Sequence, residues 1–139
     1  MKPYLLIAHP NKQLALDYAA VAEELGLFPV VVPSAAQALD IVESWGAPAL
    51  AIVELSMPPV LEFLSLTSAL RAEGSALLAV GRARDIASCT KTLCADLGID
   101  LLLGYTAPLD TIRCAAASLL RTAQARSSAP APGFAHAMA

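Results

Sequence analysis

The chain has 139 residues, of which 57% are apolar and 15% charged, and its formal net charge is −3. That is the length of one ordinary domain, and a composition that can bury a sizeable core and excludes extensive disorder. The basic residues are scattered rather than striped, which argues against a nucleic-acid surface, and although the mean hydropathy is +0.61, no apolar run approaches the roughly 20 residues of a membrane span.

Apolar runs alternate with helical patterns along the chain. The first run is Tyr4 to Ala8, too short before His9-Pro10 to be a signal-peptide core. Asn11 to Leu25 follows with Leu14, Tyr18, Val21, Ala22 and Leu25 at helical spacing, and Gly26 stands where a left-handed cap belongs. Pro29 to Val32 is the second run. Ser34 with Gln37 three residues on marks the start of a second helix, which Gly46 ends. Leu50 to Val53 is the third run, and a third helix is predicted from Pro59 to Glu73, ended by Gly74.

Ala76 to Val80 is the fourth run. Asp85 is the expected cap of a single fourth helix carrying Ile86, Cys89, Leu93 and Leu97, closed by Gly98. Leu101 to Leu103 is the fifth run, and Asp110 is the expected cap of a last helix carrying Ile112, Ala116, Leu119 and Ala123. Runs this continuously apolar predict strands buried on both faces. Five of them alternating with helices predict an α/β fold of the flavodoxin-like, doubly wound (βα)5 kind, a parallel five-stranded sheet in a three-layer sandwich. The domain is expected over residues 1–126, with 127–139, rich in Ser, Ala, Pro and Gly, as a flexible tail or linker. Cys89, Cys94 and Cys114 are odd in number and form no Cys-x-x-Cys pair. They read as small buried side chains, reduced thiols of a cytoplasmic protein, with a redox role the minor alternative.

In such folds function sits in the loops after the strands. Three of those loops resemble response-regulator receiver domains. The stretch Pro48 to Pro58 is similar to their third strand, phosphoacceptor Asp and Met-Pro turn, with Glu54 at the phosphoacceptor-equivalent position. Leu5 to Asn11 is similar to their first strand and acidic turn, Ala38 to Glu43 to their second helix, and Thr106 to Asp110 to their lysine-proline turn. The resemblance covers roughly residues 3 to 125 and implies a signalling domain.

The departures from the family pattern bear on chemistry. Phosphoryl transfer of this kind needs a hard cation held by carboxylates, with a lysine and a hydroxyl taking up the remaining phosphoryl charge. His9 and Pro10 stand where the resemblance places the metal-binding acids, and the first acidic residue is Asp17. Glu54 replaces Asp, moving the carboxylate by on the order of 1 Å. Gly81 aligns with the hydroxyl residue, and Ala107 with the lysine, or Tyr105 if the register slides by two; no lysine follows Lys91. The family's strand-five aromatic aligns with Gly104, next to Tyr105. The expectation is a degenerate pocket at His9, Pro10, Gly81 and Ala107, with no catalytic residues, no metal and no cofactor.

Plain readings stand beside these. Glu54 reads as a solvated carboxylate paired with Arg82 or Arg84, the alternative being a permanent mimic of the phosphorylated acid. His9 reads as a polar loop residue, the alternatives being a proton donor or metal ligand. Tyr105 and Trp45 read as packing residues. The expected function is a phosphorylation-independent pseudo-receiver domain in signal transduction, acting on a protein partner or on itself, and not an enzyme. No nucleic acid or membrane is expected as a partner. A homodimer through the face of the fourth helix, fifth strand and last helix is considered, with Lys91, Tyr105 and Arg113 as possible surface residues. The alternatives are a small-anion or ligand-sensing flavodoxin-like domain, or the regulatory domain of a longer signalling protein. No glycine-rich phosphate cradle or Gly-x-Ser-x-Gly turn favours an enzyme.

Overall fold

The computed structural model describes residues 3–128 except Ser56, with side chains to residue 125. Its strands are β1 (Tyr4–Ala8), β2 (Phe28–Val32), β3 (Leu50–Glu54), β4 (Ala76–Gly81) and β5 (Leu101–Gly104). All pair in parallel in one sheet of order β2-β1-β3-β4-β5. The helices are α1 (Lys12–Glu24), α2 (Ala35–Trp45), α3 (Val60–Ala72), α4 (Ala83–Ser88), α5 (Lys91–Leu97) and α6 (Leu109–Ser128). The fold is the α/β doubly wound sheet expected from the alternation of elements.

Side chains alternate between the two faces of a strand, and the core divides accordingly. Leu5, Ile7, Leu50, Ile52, Leu78 and Val80 pack with α1 and α6 residues such as Tyr18 and Ile112. Leu6, Ala8, Ala51, Val53, Leu77 and Ala79 pack with α2 and α3 residues such as Val42, Phe63 and Leu66. The expectation of burial on both faces holds for β1, β3 and β4, every residue of which is buried, and fails for the edges. In β2 Phe28 and Val31 are exposed, and in β5 Leu101 is exposed with its three successors half-buried. An edge strand has a neighbour on one side only, so helices cover it incompletely. Pro29 sits on such an edge, where its missing N–H costs least.

Local signals set the helix ends. Asn11 caps α1 by accepting the Leu14 N–H at 3.1 Å, and Ser34 caps α2 by accepting the Gln37 N–H at 3.2 Å. Pro59 stands at the cap of α3. The predicted single fourth helix is two short helices. Arg82, not Asp85, occupies the cap of α4, which ends at Cys89; Thr90 then caps α5, its hydroxyl accepting the Leu93 N–H. A threonine competes for backbone N–H groups and favours a cap over a helix interior, and this one restarts the chain. Asp110, expected as a cap, lies in the first turn of α6. That helix runs to Ser128, past the expected boundary at 126, and the remainder of the expected tail, 129–139, lies outside the described residues. Trp45 is 43% exposed and meets Tyr4 edge-on at 5.8 Å between ring centres. Among the described residues no helix is long and apolar enough to cross a membrane.

Candidate functional site

The register Ala8↔Val53 of the adjacent parallel strands β1 and β3 sets the next residues, His9 and Glu54, side by side at the carboxyl edge of the sheet. Both continue the alternation toward the α1 and α6 face, where Tyr18 and Tyr105 pack. His9 is 2% exposed and Glu54 8% exposed. Neither is therefore the solvated loop residue or solvated carboxylate expected from the sequence.

The partner of Glu54 is His9, not Arg82 or Arg84. His9 Nε2 lies 2.7 Å from Glu54 Oε2. The Asn11 N–H donates to His9 Nδ1 at 2.9 Å. A nitrogen that accepts carries no hydrogen, so the neutral ring holds its hydrogen on Nε2, facing the carboxylate. Both contacting atoms are buried, and neither makes an aligned hydrogen bond. Their short contact is what offsets the loss of water. The Tyr105 phenol faces the same carboxylate, and burial and then its interaction with Glu54 push its titration upward. The Tyr18 phenol is pushed up to about 12 by burial first and then by the charges of Glu54 and Asp17. The His9 ring lies 5.6 Å from that of Tyr105 and 6.0 Å from that of Tyr18. The result is a compact cluster in which two tyrosines flank a histidine–carboxylate pair.

This cluster forms one wall of a cleft of about 410 Å³. Pro10 and Asn11 line it from the first loop, Met57 and Pro58 from the third, and Arg82 and Asp85 from the fourth. Two degenerate-pocket positions, His9 and Pro10, thus meet at the cleft with Glu54, while Gly81 and Ala107 do not line it. Gly81 is buried, and a Cβ there would stand 3.1 Å from Leu55 Cβ, so a hydroxyl-bearing side chain would require Leu55 to shift. Ala107 packs at the α1 and α6 side of the core. Of the two registers open in the sequence after β5, it is Tyr105 whose side chain reaches Glu54.

The donor set does not fit a hard cation. Such an ion takes six or more oxygen ligands. Here one carboxylate already faces an N–H and a phenol, His9 presents a hydrogen rather than a lone pair, and among the described residues lining the cleft the only other carboxylate is Asp85.

The proposed surface residues separate. Lys91 is exposed at the start of α5, and Tyr105 is half-buried in the cleft. Arg113, considered as a surface residue for a partner, is not a free charge. It forms ion pairs with Glu24 of α1 and with Asp110, tying α6 to α1. Cys114 is exposed rather than buried, whereas Cys89 and Cys94 are half-buried and meet. The sequence reading missed Tyr18, Asn11 and Asp85 as members of the site. The helical stripe flagged Tyr18 only as a core residue, and no local signal links any of them to Glu54.

No protein-family model and no curated protein sequence matches this chain. Solved structures do. A CheY-like response regulator receiver domain protein from Methanospirillum hungatei JF-1 superposes with a TM-score of 0.72 at 13% identity, over 91% of this chain and 99% of that one. A CheY-like response regulator receiver domain from Methylobacillus flagellatus gives 0.68 at 21% identity, over 86% and 99%. NtrX from Brucella abortus gives 0.76 at 14% identity, over 91% of this chain but 29% of its own. Similarity at such low identity is similarity of fold: the chain has the fold of response-regulator receiver domains.

Proposed function

We propose that the chain is a receiver-fold signalling module that works without phosphoryl transfer, through contact with a protein partner or a second copy of itself. The observation that carries this reading is the state of Glu54. Its carboxylate, at the carboxyl end of the third strand, is occupied by the protein's own donors, His9 Nε2 and the Tyr105 phenol. A nucleophile must be free to attack in line with the phosphoryl group. A buried carboxylate facing two donors, with no hydroxyl side chain at Gly81 and no lysine among the described residues lining the cleft, lacks that freedom. The seat of the partner contact in this reading is the face of α4, α5, β5 and α6, where Lys91 is exposed.

The test is intact mass after incubation with acetyl phosphate and Mg²⁺. The expected result is no phosphoryl adduct, for the wild type and for Glu54→Asp alike; a stoichiometric, base-labile adduct on residue 54 would overturn the reading. Lys91→Glu is expected to weaken capture of the partner while changing stability by no more than about 0.5 kcal/mol. The coverage of 29% of NtrX supports one variant of this proposal, in which the domain is the regulatory part of a longer signalling protein.

A further inference from the structure

The junction between α4 and α5 brings two cysteines together. Cys89 closes α4 and Cys94 lies in the first turns of α5. Their sulfurs are 3.0 Å apart, and both side chains are half-buried, so small oxidants reach them. A disulfide bond is about 2.05 Å long, so a closure of about 1 Å, within the freedom of two χ1 rotations, joins them. No regular helix has to be broken, because the backbone already breaks between Ser88 and Lys91.

We infer that Cys89 and Cys94 form an oxidisable pair, a modification site that closes an intrachain disulfide across the α4–α5 junction when the chain meets a peroxide. The step begins at either sulfur, for example that of Cys94. This sulfur attacks the peroxide oxygen, the O–O bond breaks, and a sulfenic acid and water result. The Cys89 sulfur then attacks the Cys94 sulfur, the S–O bond breaks, the Cys89 proton leaves with the hydroxyl as a second water, and the S–S bond forms. Two thiols are oxidised and one peroxide is reduced to two waters. Burial, and then the adjoining Cys94 sulfur, push the Cys89 titration upward, so its reactive thiolate becomes more abundant, and the cross-link forms faster, as pH rises. The bond ties the end of α4 to α5 and so restrains the segment that presents Lys91.

The sequence makes the test direct. Trypsin cuts after Arg84, Lys91 and Arg113, so each of the three cysteines falls in its own peptide. The full chain is treated with hydrogen peroxide, its remaining thiols are alkylated, and it is digested without reductant. The expected product is peptide 85–91 joined to peptide 92–113, with Cys114 alkylated, and the joined product persists in Cys114→Ser. In the oxidised protein, amide hydrogen exchange over residues 89–97 is expected to slow by at least threefold. The inference fails if Cys89 and Cys94 are alkylated separately, if they accumulate as sulfinic or sulfonic acids without cross-linking, or if cross-links to Cys114 or between chains dominate.

Discussion

The centre of the sheet and its β5 edge are built on different principles. At β1, β3 and β4 every strand residue is buried, and even the polar residues at their carboxyl edge, His9 and Glu54, are removed from water and paired. At the β5 edge α4 and α5 contain no buried residue, and the edge strand that α4 packs on has side chains at most half-buried. Buried apolar area is the main source of folding free energy, so stability is concentrated at the centre of the sheet. The α4–α5 end has little to hold it in one arrangement. Local opening follows such differences in burial. The contrast separates a tightly packed platform from a loosely packed face, and it places the Glu54 cluster on the platform and the Cys89–Cys94 pair on the loosely packed face.

The largest effect that can break this comparison is a pair of truncations. Leu78→Ala, at a position with 0% exposure, is expected to cost about 3–5 kcal/mol through lost transfer energy and the cavity it leaves. Leu93→Ala, at 43% exposure on α5, is expected to cost less than about 1 kcal/mol. Urea denaturation of both measures the difference; equal losses would mean that α5 belongs to the same cooperative core.

A smaller effect tests whether the polar cluster belongs to the platform. His9→Ala removes the partner of a buried carboxylate and is expected to cost about 2–4 kcal/mol, mostly as the penalty on the Glu54 oxygen left behind. Combining it with Glu54→Ala is expected to cost less than the sum of the single changes by at least about 1 kcal/mol, as a double-mutant cycle reports. Additive losses would show that the two residues are neighbours without being coupled.

The smallest effect is on the alkaline limb of stability. The Tyr18 phenol titrates at about 12 in the folded chain against 10 for the free group. The unfolded chain therefore gives up this proton first as pH rises. The contribution to stability is fully present below about pH 10 and is lost as pH climbs through about 12. Tyr18→Phe is expected to flatten that limb of the urea midpoint against pH, and Tyr18→Phe with Tyr105→Phe to flatten it further. Lys91→Glu, on the other face, leaves its shape unchanged.

The outcome of the sequence reading followed the range over which each signal acts. Strand runs and most helix ends were legible because they depend on neighbouring residues: Asn11 and Ser34 as caps, and the left-handed glycines at Gly26, Gly46, Gly74 and Gly98. The broken fourth helix was not, since Ile86, Cys89, Leu93 and Leu97 keep helical spacing across a break that Thr90 introduces. The site was legible in part. Glu54 and His9 stood out as departures from a family pattern, but 45 residues separate them in the chain, so neither announced the other.

The sequence alone determined the class of fold, the order of its elements, and the replacement of an Asp by Glu54, because apolar period and residue identity are written locally. Tertiary structure alone decided who meets whom. The parallel register of β1 and β3 brought His9 to Glu54, the length of β5 delivered Tyr105 rather than Ala107 to that carboxylate, and the turn into α5 set Cys94 against Cys89. Those contacts depend on how strands slide past one another and where helices stop, and only the packing of the whole core settles that.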